Sequence, residues 1–365
     1  MNERVERKIL PPDSKDFYEN VPYGGSETYS LSGILARYVK DGADKVALAS
    51  AAMETMKLLN VSQELIDNAL KFWGSTIVST PSAHAWLREA AEFKEDELLT
   101  ESEAGHMFVN ALRRGILPKE IFASFYDRWV QELQVVRVAL AFEFKDAKVN
   151  YLARLASGSL PFTVSPEQLQ KFEERTSRLK FGVLDPTDWY YLPAYGGYFP
   201  HTVRIKAMGV EREQRYATYG HELSHGVLSG RLLHKHKKGD VQDISPTKNG
   251  LRMRSYEFTE RTKDKLINKD DKMAWLDEAA TELLSSWIQG RRPRTYKAEV
   301  GVLEALVKDG LNPQVLFDAY AEDYHPGEKG LPAVKKLMAE IFRIRGKEWF
   351  YEQQRRFSGT IPDAS

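Results

Sequence analysis

The sequence predicts a mostly α-helical protein with a small β-sheet, an α+β fold in which an all-helical region precedes a mixed domain. Three observations predict it. Over residues 30–158, and again from 272 to the end, apolar residues recur at helical spacing. Over residues 159–209 Pro161, Pro166, Pro186, Pro193 and Pro200 appear among aromatic residues, and Thr202-Val203-Arg204-Ile205-Lys206 then alternates like a half-buried strand. Asn249-Gly250, between the runs 241–244 and 251–258, has the chemistry of a hairpin turn. With 365 residues, more than one core is expected. The divisions are an irregular N-terminal arm (1–27), a helical N-terminal domain (28–158) and a mixed domain ending in helices (159–365).

In order, the arm carries Pro11-Pro12, Pro22 and Gly24-Gly25 among charges, which allows short ordered pieces at most. Residues 43–59, rich in Ala, Met and Leu, read as a helix, and Asn60-Val61-Ser62-Gln63 as the cap of the next, which runs to Trp73. Helices follow over 82–93, 101–114 and 118–144, with Gly115 as a stop and Pro118 as a first-turn proline. The strand at 202–208 precedes a further helix, and the C-terminal helices are expected over 273–289, 296–308, 313–320 and 331–357.

Lys plus Arg and Asp plus Glu number 52 each, so no global field draws in nucleic acid or an anionic membrane. Nucleic acid is therefore not indicated as a partner. The chain has no cysteine, so any metal must be held by histidine and carboxylate. No run approaches the roughly 18 apolar residues of a membrane span. The charged start Met1-Asn2-Glu3-Arg4 does not resemble a signal peptide, which leads to the expectation of a cytoplasmic protein.

The chemistry centres on Tyr216-Ala217-Thr218-Tyr219-Gly220-His221-Glu222-Leu223-Ser224-His225. H-E-x-x-H on a helix puts His221 and His225 one turn apart on a single face, the arrangement for holding a metal ion and activating its bound water, with Glu222 beside them as general base. Tyr216, Tyr219, Leu223 and Val227 form an apolar stripe on roughly the opposite side. An amphipathic helix with a wet face of two His and a Glu would carry the same letters, so context decides. In Trp275-Leu276-Asp277-Glu278-Ala279-Ala280-Thr281-Glu282-Leu283, the residues Leu276, Ala279, Ala280, Leu283 and Trp287 make a core stripe, and Glu278 and Glu282 share the other face. Like charges four apart repel by a few tenths of a kcal/mol unless something positive sits between them. A divalent cation and a ligating histidine would serve.

H-E-x-x-H followed by a later helix with E-x-x-x-E resembles the gluzincin peptidases, the thermolysin-like and anthrax lethal factor-like branch of the zincin metallopeptidases. The resemblance spans about residues 200–290. It implies a zincin-like catalytic domain after the helical region and a zinc-dependent peptidase acting on a protein or peptide. His221, His225 and Glu278 would hold Zn2+, and Glu282 would orient His221. Asp277 stands where the thermolysin-like enzymes often have Asn, and no third histidine follows Gly226 at metzincin spacing. In the family a Tyr or His outside the main motif steadies the oxyanion; Tyr256, Tyr296, Tyr324 and His325 are candidates, with Tyr296 and His325 preferred. An edge strand commonly takes the substrate backbone, a role assigned here to residues 203–208. His234 and His236, in the basic run His234-Lys235-His236-Lys237-Lys238, read as a solvated loop rather than ligands. The alternative is a zincin-fold regulatory protein that binds a partner protein or DNA. Its basic surface would have to come from Arg291-Arg292-Pro293-Arg294 and the pair Arg252 and Arg254.

Overall fold

The computed structural model describes residues 6–15, 63–90, 99–184, 196–199, 201–206, 210–238, 241–258 and 266–357. The helix expected over 43–59, the cap at 60–62 and the run Trp189-Tyr190-Tyr191 lie outside them. Within the arm read as irregular, Glu6–Leu10 forms a strand, β1. Helices α1 (Gln63–Val78), α2 (Pro81–Ala90), α3 (Glu101–Arg113) and α4 (Lys119–Ala156) follow. Thr100 opens α3 through a reciprocal cap, its Oγ1 accepting from Glu103 N at 3.3 Å while Glu103 Oε2 accepts from Thr100 N at 3.0 Å. Gly115, at φ +69, ends it.

Trp73 meets Phe108, Phe125 and Trp129 edge-on at the centre of this helical unit, where Phe125 stacks on Trp129 and the Phe108 and Phe125 ring centroids are 4.5 Å apart. The backbones of α1 and α3 touch where they cross. A Cβ on Gly74 would lie 1.5 Å from the Glu101 carbonyl oxygen, and one on Gly105 would lie 2.1 Å from that of Leu70. Backbone cannot give way as a flexible side chain does. Gly74→Ala is therefore expected to destabilise this unit by about 3 kcal/mol, the upper end of ordinary overpacking, and chemical denaturation followed by Trp73 and Trp129 fluorescence would measure it.

Helix α4 runs 38 residues, about 57 Å at 1.5 Å per residue. The sequence reading stopped it near Phe144 and put a domain boundary after Gly158. Instead Phe122, Phe125 and Trp129 belong to the first core, while Phe144, Ala147, Tyr151 and Leu155 belong to a second, larger one. The change of core falls inside a continuous helix. Its end is set by Gly158, at φ +66.

The proline-rich stretch beyond it contains a helix, α5 (Pro166–Arg178), because Ser165-Pro166-Glu167-Gln168 is a capping box with proline at the first turn, where its missing N–H costs nothing. Strands β2 (Lys180–Leu184), β3 (Gly196–Phe199) and β4 (Thr202–Lys206) form a sheet of order β2-β4-β3. Thus β4 is the central strand, parallel to β2 and antiparallel to β3, with Val203 and Ile205 fully buried. The expected strand is present, but it has no edge to offer a substrate.

Next come α6 (Arg212–Leu223), a π-helical turn (Ser224–Leu228), and strands β5 (Arg231–Lys238), β6 (Val241–Asn249), β7 (Arg252–Phe258) and β8 (Leu266–Lys272). They make an antiparallel sheet of order β1-β5-β6-β7-β8. The expected hairpin is present, but its two-residue turn is Gly250-Leu251 rather than Asn249-Gly250: Asn249 pairs with Arg252, and Gly250 at the first central position takes φ +61. His234 and His236 lie on β5 rather than in a solvated loop. His234 Nδ1 is 2.8 Å from Thr247 Oγ1, His236 Nε2 is 2.7 Å from Ser245 Oγ, and burial holds the His236 pKa down at about 4. Neither is offered to a metal.

The chain ends in α7 (Ala274–Gln289), α8 (Lys297–Lys308), α9 (Pro313–Ala321), α10 (Pro332–Arg345) and α11 (Lys347–Phe357). The single helix expected over 331–357 is broken at Gly346, which takes φ +85. Helix α7 runs through the middle of the larger core and buries nearly its whole circumference, including Asp277, Thr281 and Glu282. The chain is thus a mostly α protein with a small β component. No described helix is long and apolar enough to cross a membrane.

Candidate metal centre

Helix α6 is held to α4 by three polar contacts. Arg215 forks onto Glu143 at 2.9 and 3.0 Å, the Tyr219 hydroxyl donates to Leu140 O at 3.3 Å, and Tyr151 and Ser224 share a hydroxyl bond of 2.6 Å. Tyr219, Leu223 and Val227 are buried as the stripe requires, whereas Tyr216 remains 39% exposed and lies outside it. His221 and Glu222 occupy the last α-helical turn, and His225 sits in the π turn, closed by Ser229 N to Ser224 O at 3.2 Å. H-E-x-x-H alone gives no hint of that widening. Its unpaired carbonyls are taken by two guanidiniums, each only 1% exposed: Arg231 Nη2 donates to Gly226 O at 2.7 Å, and Arg175 Nη1 donates to Val227 O and Ser229 O at 3.3 and 2.9 Å. Asp13 and Asp323 balance these buried charges, each 2.9 Å from Arg175. Burial pushes the Asp323 carboxyl up, but Arg175 and Lys171 outweigh it and hold it well below the usual range.

From α7, Glu278 reaches the two histidines. One ligand atom from each of His221, His225 and Glu278 falls within 4.8 Å of the others. Glu278 Oε2 is 3.3 Å from His221 Nε2 and 3.2 Å from His225 Nε2. Such separations suit neighbouring ligands on bonds of about 2 Å around a tetrahedral ion.

The far side of each imidazole is also engaged. His221 Nδ1 is 3.0 Å from Glu282 Oε2. Glu282 in turn accepts from Arg291 Nη1 at 2.7 Å and Nη2 at 3.3 Å, and from the backbone N–H groups of Arg294 at 2.7 Å and Thr295 at 3.4 Å. His225 Nδ1 is 3.4 Å from Thr281 Oγ1 and 4.0 Å from Asp277 Oδ2. Thr281 has one proton, which it donates to Asp277 O at 2.7 Å. The Tyr320 hydroxyl, 2.7 Å away and itself receiving a bond from Ser229 Oγ at 3.0 Å, must then donate to Thr281. Thr281 is left as an acceptor for a proton on His225 Nδ1, which frees Nε2 as an electron pair facing Glu278. Each histidine therefore has an acceptor behind it, set by one of the two i, i+4 pairs of α7, 277/281 and 278/282.

Asp277, Thr281, Tyr320 and Arg291 were not singled out as site residues. The doubled i, i+4 spacing in Asp277-Glu278-Ala279-Ala280-Thr281-Glu282 was the available signal for the first two. Burial lifts the Asp277 carboxyl to about 6, and its Oδ1 accepts from Leu251 N at 2.7 Å, so the hairpin turn rests on the start of α7.

Glu222 is 6% exposed and faces the cluster, and among the described residues its carboxylate has no hydrogen-bond partner. Burial raises its pKa, moving it toward the neutral range useful for a base. Tyr296 stacks on His221, with ring centroids 5.6 Å apart and planes inclined by 17°, beside Glu278. Its backbone is held at φ 50, and burial beside Glu278 and Glu222 drives the phenol pKa up, so it stays protonated as a donor. His325 is not brought to the cluster. It is exposed in the loop after α9, donates its backbone N–H to Glu328 at 2.9 Å, and lines a separate pocket of about 690 Å³ with Lys171, Glu322 and Asp323. The Tyr324 hydroxyl is spent on Glu328 O at 2.5 Å, and Tyr256 lies near His236.

The chain matches no protein-family model, no curated protein and no solved structure. The site must therefore be judged on its own chemistry. Two imidazole Nε2 atoms and a carboxylate oxygen, each oriented from behind and largely shielded from solvent, form a donor set that fits a borderline-soft divalent cation such as zinc. Without a cation, burial would lower His221, but its bonds to Glu278 and Glu282 outweigh this and raise it to about 10. A proton then stands in the position that a cation would take.

Proposed function

We propose that the chain is a zinc-dependent peptidase, with His221, His225 and Glu278 holding the ion and Glu222 as general base. The observation that carries this reading is the convergence of three ligand atoms within 4.8 Å, beside a buried carboxylate that has no described partner. When bound there, zinc would supply a Lewis acid and would lower the pKa of a coordinated water. Glu222 takes the proton from the attacking water and delivers it to the leaving amine nitrogen. Tyr296, kept protonated, donates its hydroxyl toward the oxygen that becomes negative as the carbonyl is attacked. Glu282 and Thr281 keep the imidazoles from turning.

Of the alternative, a zincin-fold regulatory protein that binds a partner protein or DNA, the DNA-binding form draws less support. Arg291 and Arg294 are engaged with Glu282 and Glu213, and Arg252 and Arg254 both face Asp271. Each of these four arginines thus faces a carboxylate of the chain itself, which among the described residues leaves no continuous basic surface for a nucleic-acid backbone.

Metal analysis is expected to show about one zinc per chain, and a purified protein that takes up no zinc when it is added would overturn the assignment. Because a proton occupies His221 at neutral pH in the metal-free protein, zinc uptake should release about one proton and weaken about tenfold per pH unit of acidification. Calorimetry in two buffers of different ionisation enthalpy checks this. The same raised value means that in the metal-free protein the His221 charge stabilises the fold fully below the ordinary histidine pKa of 6.5, and that this contribution is lost as pH rises through about 10.

A further inference from the structure

A second basic pair stands beside the cluster. Arg252 and Arg254 are two residues apart on β7, so their side chains leave one face of the sheet, and Asp271, opposite Arg254 on β8, meets both. Arg252 takes that carboxylate in a fork, Nε to Oδ1 at 2.8 Å and Nη2 to Oδ2 at 2.6 Å, and its Nη1 stands 3.6 Å from Glu278 Oε1. Arg252 is thereby accounted for as the neutraliser of a ligand carboxylate. Arg254 has one long bond, Nε to Asp271 Oδ2 at 3.4 Å, and among the described residues its Nη atoms have no acceptor. Its side chain keeps 25% of its surface exposed. It is a surplus guanidinium, placed where a planar fork meets a carboxylate best.

Distance sets what it can reach. Two residues along a strand is about 6.7 Å, and an extended peptide advances at nearly the same rate. With Arg252 against Glu278, a substrate group meeting Arg254 lies within two residues of the bond beside the cluster.

We propose that Arg254, backed by Arg252, is a carboxylate-reading subsite that selects peptides with an acidic group within two residues of the cleaved bond. This rests on the peptidase reading above. The carboxylate is either an Asp or Glu side chain or the free C-terminus of the substrate, and the two share one chemistry.

Dipeptides acylated at the N-terminus with a hydroxamate-bearing malonyl group, whose hydroxamate chelates the metal, separate these sources and test the subsite by binding alone. Three probes are titrated calorimetrically into the zinc-loaded protein: one with Asp and an amidated end, one with Asn and an amidated end, and one with Asn and a free C-terminal carboxylate. At least one acidic probe is expected to bind about tenfold or more tightly than the neutral one, and which of them does so identifies the source. Arg254→Gln should erase the difference while leaving zinc content and thermal stability unchanged, and Arg254→Glu should shift the preference to a Lys-bearing probe. Equal binding of all three probes, or an acid preference that survives Arg254→Gln, overturns the subsite and leaves the peptidase reading standing. No binding of any probe by protein that holds zinc removes both.

Discussion

Glu222→Gln is expected to keep zinc and lose roughly 10²–10⁴-fold in peptide hydrolysis, the usual contribution of a positioned acid–base group. The substitution preserves shape at a position only 6% exposed, so packing is not disturbed. It removes no described hydrogen bond. It also relieves a cost, since burial disfavours the charged carboxylate and thus raises its pKa. Stability should therefore hold or rise slightly while turnover collapses, a combination that a merely structural carboxylate would not produce. Zinc content by elemental analysis, melting temperature and kcat/KM on a peptide mixture are the three readouts. Turnover equal to that of the unaltered chain would take Glu222 out of the mechanism.

The same residues show how far the sequence carried. His221, His225, Glu278 and Glu282 converge because their spacings, i and i+4 on two helices, are local properties that a helix converts directly into shared faces. The strand at Val203 and the hairpin at Gly250 are legible because period-two alternation and a glycine at positive φ are local as well. What could not be read depends on pieces distant in sequence. Nothing within residues 202–206 says that β2 and β3 flank that strand on both sides. Nothing in the run Arg291-Arg292-Pro293-Arg294, which suggests a basic surface, says that Arg291 turns inward to Glu282. Two misreadings were local instead. The prolines of 159–209 mark a change of composition, although Ser165 and Gln168 make Pro166 a helix start, and the helix read from Pro118 to Phe144 runs on because Ala147, Tyr151 and Leu155 continue its buried spacing. For α7 the spacing predicts one core stripe and an opposite face on which Glu278 and Glu282 meet a cation and a histidine. It is buried on both because β7, α6 and α9 all pack around it, and its polar face became the site.

Removing the brace behind His221 is the second large effect expected. Glu282→Ala takes the acceptor from His221 Nδ1 and leaves Arg291, 14% exposed, without its carboxylate. Zinc affinity should fall about 10–100-fold, as for other partners that orient a ligating imidazole. Stability should fall by about 3–5 kcal/mol, the cost of stranding one member of a buried ion pair. These two losses have different origins and can be separated. In the double variant Glu282→Gln/Arg291→Met neither charge remains, so much of the stability should return. The zinc affinity should not return, because an amide is a weaker acceptor than a carboxylate and no longer raises the basicity of the ring. Denaturant unfolding of the metal-free proteins gives the first quantity and competition with a chromogenic chelator the second. If affinity recovers together with stability in the double variant, Glu282 acts on the metal only by holding the fold together, and its role in orienting His221 must be abandoned.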